Sequence, residues 1–325
     1  MDYVHLGKTG LEVSRLCLGC MSFGDASKGR DWVLDLEHSR PIIRAAWEAG
    51  INFYDTANVY SAGTSEEITG TVLWELAKRD EVVLATKVNG EMRKGPNGKG
   101  QSRKAIISEL DNSLRRLKTD YVDLYQIHRF DYATPIEETL EALHDVVKAG
   151  KVRYIGASSM WAWQFMQMLA TQEANGWTRF VSMQNQVNLI YREEEREMLP
   201  LCVDQGIGVI PWSPLARGRL ARPWGEATKR FQSDPFQNQM YDAHAAEDEK
   251  INGAVASVAR THGKTMAQIA LAWVMQKQPV AAPIVGVTKL EQLTDALGAL
   301  DVKLGANDVA ALEAPYRPRT PAGFQ

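Results

Sequence analysis

Residues 50–60 read GINFYDTANVY, and this stretch decides the fold of the chain. Its first half, Ile51 to Tyr54, is apolar and aromatic, a composition that is typical of a short buried strand. The strand ends at a carboxylate, Asp55, and the loop after it carries Tyr60. A strand that ends in a polar side chain of this kind is how a parallel sheet presents reactive groups.

Two later runs have the same form. Residues 81–86 precede Lys87, and residues 121–127 precede His128. If consecutive strands are parallel, their carboxyl ends meet at one edge of the sheet. We therefore expect Lys87 and His128 to lie beside the two polar residues of the first stretch, at the edge where parallel α/β folds place their active sites.

Strand-like runs alternate with helix-like runs along nearly the whole chain. A short N-terminal hairpin is predicted at Val4 to Leu6 and Leu11 to Val13. Eight strands are then predicted at Arg15–Leu18, Ile51–Asp55, Val82–Lys87, Val122–His128, Val152–Ser158, Phe180–Gln184, Gly208–Trp212 and Ala281–Val285. Helices are predicted at Ser39–Ala49, Ser65–Lys78, Ser102–Leu117, Pro135–Lys148, Trp161–Glu173, Glu193–Gln205, Thr265–Gln276 and Leu290–Leu300.

Eight alternating units without an intervening linker predict one domain over residues 1–325. Closed on themselves, such units make an α/β fold of the (β/α)8 TIM barrel type, with the hairpin and long substrate loops added to it. An open doubly wound sheet is the alternative. It is disfavoured because no G-x-G-x-x-G turn occurs: Gly206-Ile207-Gly208 has no third glycine and enters a strand.

Composition excludes several classes of partner. The chain is 45% hydrophobic and 24% charged, and its formal net charge of -3 gives no reason to expect nucleic acid or an anionic membrane. No apolar run is long enough to span a bilayer, and Met1 to Gly10 lacks an apolar signal core. A cytoplasmic location is expected, and the oligomeric state is not predicted.

The cysteines are sparse. Cys17 and Cys20 have the C-x-x-C spacing of a redox pair or of half a zinc site, and Cys202 stands alone. A zinc site would need a second pair, and a redox pair usually opens a helix, whereas this motif lies in a strand-like run. We expect buried, inert thiols and no metal.

The four polar residues suit the reduction of a carbonyl group. A carbonyl oxygen gains negative charge as it accepts hydride, and free tyrosine, with a pKa of about 10, is a poor proton donor near neutrality. Lys87 can supply an ammonium that stabilises tyrosinate, and Asp55 can keep that buried ammonium charged. His128 can hydrogen-bond the substrate oxygen and hold it near Tyr60. Each residue alone has an ordinary structural explanation, but their placement on three successive units favours the catalytic one.

Four segments of the chain resemble the aldo-keto reductases. They are residues 50–60 with Ser65-Glu66-Glu67, residues 114–126 with His128, residues 150–158, and residues 212–215. The resemblance covers essentially the whole chain. It is strongest to a bacterial subgroup sometimes labelled 1-deoxyxylulose-5-phosphate-synthase-like. The synthase activity in that label is not expected, because the G-D-G motif of such enzymes is missing: Gly24-Asp25 continues with Ala26.

The resemblance implies a function and a set of site residues. Asp55, Tyr60, Lys87 and His128 match the family's catalytic tetrad, and the implied cofactor is NADPH bound without a Rossmann fold. The positions implied to contact the cofactor are Ser158, Ser159 and Gln184 at the carboxamide, Trp212 on the nicotinamide ring, Ser213, Leu215, Gly218 and Leu220 at the pyrophosphate, and Gly286, Thr288, Lys289 and Gln292 at the adenosine phosphate. The pattern differs from that of many members at Ser159, Gln292 and Ala296.

These observations predict an NADPH-dependent reductase of aldehydes or ketones, with a small carbonyl compound as substrate. A nicotinamide-sensing regulatory subunit with slow turnover is the alternative, because some relatives bind the cofactor mainly to gate a partner. A short-chain dehydrogenase is disfavoured because Tyr-x-x-x-Lys does not occur. Substrate range is expected to depend on residues 89–101, 216–247 and 315–325. Met21, Phe23 and Trp32 either form an apolar wall facing the substrate or pack the loop after the first barrel strand.

Overall fold

A computed structural model describes residues 1–28, 30–226, 241 and 244–321. The strands are β1 Tyr3–His5, β2 Glu12–Ser14, β3 Cys17–Gly19, β4 Phe53–Asp55, β5 Val83–Val88, β6 Val122–Ile127, β7 Val152–Ser158, β8 Phe180–Gln184, β9 Gly208–Val209 and β10 Ile284–Val285. The helices are α1 Leu36–Glu48, α2 Thr64–Leu76, α3 Arg103–Leu117, α4 Ile136–Lys148, α5 Ala162–Asn175, α6 Met198–Gln205, α7 Ala245–His262, α8 Met266–Met275, α9 Leu290–Leu297 and α10 Ala306–Glu313. Residues 227–240 and 242–243 of the predicted substrate loop, and residues 322–325 of the tail, lie outside the described residues.

The predicted barrel fold is confirmed. Strands β3 to β10 form one parallel sheet in the order β10-β3-β4-β5-β6-β7-β8-β9, and β1 pairs with β2 in a separate antiparallel hairpin. The two edges of the parallel sheet meet through a bridge between Val209 and Val280. The amide of Ile284 also donates to the carbonyl oxygen of Pro211 at 2.8 Å. These bonds join β9 to the segment of β10 and close the ring.

Alternation along the strands decides which side chains point into the barrel. In β4, β5 and β6, Tyr54, Leu84 and Tyr125 belong to the core between sheet and helices. Their neighbours Phe53, Ala85 and Leu124 belong to a smaller core inside the barrel. Since side chains of a strand alternate between its two faces, the residues two positions further along each strand also point inward. This rule places Asp55, Lys87, Gln126 and His128 over the inner core, at the carboxyl end of the barrel.

Some predicted boundaries are wrong. Helix α1 starts at Leu36, not at Ser39, because the Asp35 side chain accepts a hydrogen bond from the His38 amide at 3.0 Å and caps the helix. Strand β10 is shorter than predicted, and Pro283, which has no amide hydrogen to donate, directly precedes it. Helix α10 was not predicted from the sequence. Within the residues that the structure describes, no helix is both long and apolar enough to cross a membrane.

The N-terminal hairpin packs against the amino end of the barrel. The amide of Lys8 donates to the Gly206 carbonyl oxygen at 2.8 Å, and the side chains of Leu6 and Val13 belong to the core inside the barrel. Gly7, between the hairpin strands, has a φ of +61°. A Cβ at Gly7 would lie 2.6 Å from both the Gly206 oxygen and the Gly208 nitrogen. Only glycine fits this close approach of two backbones.

We expect Gly7→Ala to lower the free energy of unfolding by about 1–3 kcal/mol, because the new methyl group meets backbone atoms in a left-handed conformation. Gly10→Ala is the matched control in the same hairpin, since nothing lies within 4 Å of a Cβ at Gly10. Urea unfolding of the two variants checks this. Equal stability of Gly7→Ala and Gly10→Ala would show that the hairpin does not hold the barrel end in this way.

Candidate active site

A buried ion pair lies at the carboxyl end of the barrel. The Lys87 ammonium, which is fully buried, donates to Asp55 Oδ1 at 2.5 Å and to the Thr56 carbonyl oxygen at 2.9 Å. Its third contact is the Tyr60 hydroxyl at 3.4 Å. Lys87 therefore connects the carboxylate at the end of β4 to the phenol in the following loop, as the sequence predicted for these three residues.

The surroundings of Lys87 keep it charged. Burial of the ammonium acts to lower the pKa of Lys87, but attraction to Asp55 and Tyr60 and hydrogen bonds to both outweigh burial, so that this pKa lies above its usual value. A buried ammonium without a partner would instead lose its proton. The carboxylate of Asp55 is therefore what makes a permanent positive charge beside the phenol possible.

Two glutamines hold the other oxygen of Asp55. The side-chain amides of Gln126 and Gln184 donate to Asp55 Oδ2 at 3.0 and 2.9 Å, and Gln184 also donates to Gln126 Oε1 at 3.1 Å. Gln126 was not recognised from the sequence. The signal was its spacing: it lies two residues before His128 and so points to the same side of β6.

His128 approaches the phenol from the side of β6. The rings of Tyr60 and His128 meet edge to face with centroids 5.6 Å apart. Burial, followed by the positive charges of Lys87, Arg129 and Arg30, holds the pKa of His128 well below its ordinary range. The imidazole is therefore neutral near pH 7, and a neutral imidazole can hydrogen-bond a carbonyl oxygen without adding a charge.

The backbone that carries Tyr60 is in an uncommon conformation. Ser61 and Ala62, which follow it in a short 3-10 turn, have φ values of 47° and 51°. Thr64 Oγ1 donates to the Ser61 carbonyl oxygen at 2.8 Å, and the turn leads directly into α2. Left-handed backbone at non-glycine residues is costly and persists where the surrounding structure enforces it. Here it fixes the position of the phenol, which is largely buried.

Four of the predicted cofactor residues lie together at the carboxyl ends of β7 to β9. The Ser158 hydroxyl donates to the Gln184 carbonyl oxygen at 2.6 Å, and the Ser159 amide donates to the same oxygen at 3.1 Å. The indole nitrogen of Trp212 donates to Ser159 Oγ at 3.0 Å. The Gln184 side-chain nitrogen is engaged by Asp55 and Gln126, so its amide oxygen is the group that it can offer a nicotinamide carboxamide.

The loop predicted to bind the pyrophosphate follows β9. Ser213, Ala216 and Arg217 have φ values of 51°, 46° and 56°, and Gly218 has 98°. Successive residues in such turns can direct backbone N–H groups into a concave site for an anion. Leu220 is fully buried, so among the predicted contacts it could act only through its backbone. Ser213, Leu215 and Gly218 are partly exposed, so Ser213 and Leu215 could reach a ligand with their side chains and Gly218 with its backbone.

The residues predicted to surround the adenosine phosphate lie in the loop after β10 and in the first turn of α9. The Thr288 amide donates to Gln292 Oε1 at 2.8 Å, and Lys289 occupies the position just before the helix. Gly286 and Lys289 are exposed. The positive end of a helix with an ammonium beside it suits a phosphate. The donor types present therefore fit a phosphorylated nicotinamide cofactor.

The order of strands in the ring places the predicted catalytic residues and the predicted cofactor residues on different strands. The tetrad belongs to β4, β5 and β6 and the loop after β4, whereas the cofactor positions follow β7, β8, β9 and β10. The two sets meet inside the barrel at the hydrogen bond between Gln184 and Asp55. A ligand that spans the cofactor positions would thus end beside the charged pair.

The C-terminal tail is linked to the predicted cofactor loop through Asp248 on α7. Arg319 donates to Asp248 Oδ1 at 3.0 Å, and its amide donates to Glu193 at 2.8 Å. Tyr316 donates to the same Glu193 oxygen at 2.6 Å. The other Asp248 oxygen lies 3.8 Å from Arg219, which follows Gly218. Asp248 thus links the tail to the residue after Gly218, and the expected role of residues 315–325 in substrate choice stays a prediction.

Two further sequence predictions concern the apolar residues after β3 and the three cysteines. Phe23 is fully buried in the core between sheet and helices, so it is loop packing and not part of an open apolar wall. Trp32 is 8% exposed and lies near Arg30, with 5.9 Å between the guanidinium carbon and the ring centroid. All three cysteines are buried and unpaired, and burial raises the pKa of Cys20 to about 12. Among the described residues, no cluster of His, Cys, Asp or Glu suits a metal ion.

Comparison with known proteins agrees with this geometry. The model of the Aldo/keto reductase family matches residues 15–317. Versiconal hemiacetal acetate reductase of Aspergillus parasiticus is 43% identical, over 98% of each chain. An aldo-keto reductase of Alternaria alternata is 42% identical over 99% of this chain and 93% of its own. A Schizosaccharomyces pombe protein provisionally named aryl-alcohol dehydrogenase is 43% identical over 97% and 96%.

These relatives bear on the predicted subgroup. All three are fungal, and none carries the bacterial label to which the sequence showed its strongest resemblance. They give that finer assignment no support, and it stays a prediction.

We expect Arg319→Ala to weaken NADPH binding severalfold. Asp248 would lose its closest cation, and the segment around Arg219 would then be held less firmly by Asp248. Arg317→Ala is the matched control in the same tail, since the hydrogen bonds of the Arg317 side chain to described residues go to the carbonyl oxygens of Ala314 and Tyr316. Dissociation constants from the quenching of intrinsic fluorescence, corrected for the folded fraction, check this. Unchanged NADPH affinity in Arg319→Ala, with an altered order of aldehyde preference, would assign the tail to the substrate side.

Proposed function

Since the chain belongs to the aldo/keto reductase family, a family of oxidoreductases that act on small carbonyl compounds, we propose that it reduces aldehydes or ketones to alcohols with NADPH. Tyr60 is the proton donor in this proposal, and Asp55, Lys87 and His128 complete the catalytic set. The observation that carries the proposal is the position of the Lys87 ammonium, which lies 2.5 Å from Asp55 and 3.4 Å from the Tyr60 hydroxyl.

The proton step follows from the charges around the phenol. As the carbonyl carbon is reduced, its oxygen becomes an alkoxide and takes the proton of the Tyr60 hydroxyl. The tyrosinate that remains is stabilised by the adjacent ammonium of Lys87. Asp55 balances that ammonium in the resting state, and the neutral His128 can donate a hydrogen bond to the carbonyl oxygen. Tyr60 regains its proton from solvent after the alcohol leaves.

The cofactor positions are proposed from the fit of their donors. NADPH supplies the hydride when it is bound. Ser158, Ser159 and the Gln184 oxygen would hold the carboxamide, and the partly exposed indole of Trp212 would cover the nicotinamide ring. The loop of Ser213, Leu215, Gly218 and Leu220 would hold the pyrophosphate. Gly286, Thr288, Lys289 and Gln292 would surround the adenosine phosphate.

A regulatory subunit that senses the cofactor is the other proposal. The two differ in turnover, because a sensor needs only to bind NADPH whereas a reductase must also deliver a proton. The complete proton-donating set of Tyr60, Lys87 and Asp55 favours the reductase. Steady-state oxidation of NADPH, followed by absorbance with aromatic and aliphatic aldehydes, separates them: slow, substrate-independent oxidation would favour the sensor.

We expect Tyr60→Phe to lower carbonyl reduction by a factor on the order of 10²–10⁴, the usual contribution of a positioned general acid. NADPH binding should stay within a few-fold, because the phenol is proposed to touch the substrate oxygen and not to hold the cofactor. Tyr132→Phe, at a tyrosine that is 64% exposed, is the control for the loss of a hydroxyl. Wild-type turnover in Tyr60→Phe would exclude Tyr60 as the proton donor.

We expect Lys289→Ala to weaken NADPH by about tenfold and NADH much less, because a charged hydrogen bond to the 2′-phosphate would be lost. Lys303→Ala, which removes another exposed lysine, controls for the change in net charge. The readout is the ratio of the two dissociation constants. If both cofactors lose affinity equally, the 2′-phosphate lies elsewhere.

A further inference from the structure

The residue after the catalytic histidine brings a second cation to the site. Arg129 Nη1 donates to the His128 carbonyl oxygen at 2.6 Å and lies 3.5 Å from Ser158 Oγ. Its guanidinium carbon is 5.8 Å from the centroid of the Trp212 ring. Arg129 thus lies where the end of β6 faces β7 and β9, beside the proposed nicotinamide position.

Among the described residues, no carboxylate balances the guanidinium of Arg129. Across the residues that the structure describes, no Asp or Glu oxygen lies within 4 Å of it. Burial lowers the pKa of Arg129, and attraction to Tyr60 only partly opposes this. A cation in such surroundings is costly unless an anion accompanies it. An anion on a ligand would supply that partner.

A third cation, Arg30, lies near the phenol ring of Tyr60. The guanidinium carbon of Arg30 lies 5.6 Å from the centroid of the Tyr60 ring. Arg30 belongs to the loop after β3, whereas Arg129 follows β6, so the two reach the site from different parts of the ring. Both guanidinium groups therefore add to the positive potential around the substrate carbonyl.

We propose that Arg129 and Arg30 make this a site for carbonyl compounds that carry an anionic group, such as a carboxylate, close to the carbonyl. The guanidinium of Arg129 would bind the anion in two hydrogen bonds, and Arg30 would add attraction from the side of Tyr60. This inference rests on the proposed reductase function, which it narrows to a substrate class. It does not depend on which carbonyl compound the cell supplies.

The cofactor phosphates are a less suitable partner for Arg129. Its neighbours are Ser158 and Trp212, which are proposed to contact the nicotinamide end. The proposed phosphate positions follow β9 and β10, at Ser213 to Leu220 and at Gly286 to Gln292. The nicotinamide end carries no phosphate, and no carboxylate of the described residues lies beside Arg129, so in this proposal the anion comes from the substrate.

The first test is binding without turnover. Benzoate and benzamide, which have the same shape but differ in charge, are titrated calorimetrically into the protein with and without NADP⁺. We expect the wild type to bind benzoate about tenfold more tightly than benzamide, and we expect Arg129→Gln and Arg30→Gln to bind the two ligands equally. Arg44→Gln, at an exposed arginine on α1, should keep it. Equal binding of both ligands by the wild type would overturn the inference, whether or not the protein proves to be a reductase.

The second test is turnover with a matched pair of substrates, 4-formylbenzoate and its methyl ester. We expect a higher kcat/KM for the acid and a fall in the ratio of the two values in both arginine variants. Reduction of both aldehydes at equal kcat/KM would leave the reductase function intact and overturn the anionic substrate class. If Arg129→Gln instead weakened NADPH and left the acid-to-ester ratio unchanged, Arg129 would serve the cofactor and the inference would be wrong.

Discussion

The buried ion pair between Lys87 and Asp55 is the interaction on which the rest of the site depends. An ammonium with no exposure to water keeps its proton because a carboxylate lies 2.5 Å away and the Tyr60 hydroxyl adds to the attraction. That carboxylate in turn is held by hydrogen bonds from Gln126 and Gln184, which leave no freedom for it to turn away. The arrangement costs desolvation energy that a hydrophobic core would not. Its benefit is a fixed positive charge 3.4 Å from the Tyr60 hydroxyl.

The barrel makes this arrangement possible by bringing distant parts of the chain to one end. Asp55 and Gln184 are 129 residues apart in sequence, yet their side chains are hydrogen-bonded across the barrel interior. Parallel strands point their carboxyl ends the same way, and the two-residue period of each strand turns the chosen side chains inward. The proposed proton-donating set and the proposed cofactor positions therefore face each other by topology. Tyr60 is positioned by an uncommon backbone, the left-handed turn at Ser61 and Ala62.

The sequence was sufficient to predict the fold and the proximity of Asp55, Tyr60, Lys87 and His128, because both depend on local patterns. The runs that end at Asp55, Lys87 and His128 can be recognised as strands from local composition, without any knowledge of how they pack. Gln126 and Arg129 were not recognised, because a polar residue within or just after a strand gains meaning only from what lies opposite it. The start of α1 was misplaced for a similar reason: Ser39 and Pro41 carry start signals, but the Asp35 side chain caps the helix three residues earlier. The contact of the tail with Asp248 joins residues 71 apart and left no local pattern to read.

Asp55 and Lys87 act as one unit, because the carboxylate of Asp55 keeps the Lys87 ammonium charged beside Tyr60. A double-mutant cycle of Asp55→Asn, Lys87→Met and the double variant tests it, with hydride transfer measured in single turnovers under saturating NADPH. If the two residues act as a unit, the double variant is about as slow as the slower single variant, because each change alone already destroys the pair. If the two losses in rate multiply, the residues contribute independently, which contradicts the claim that the carboxylate acts by keeping the ammonium charged.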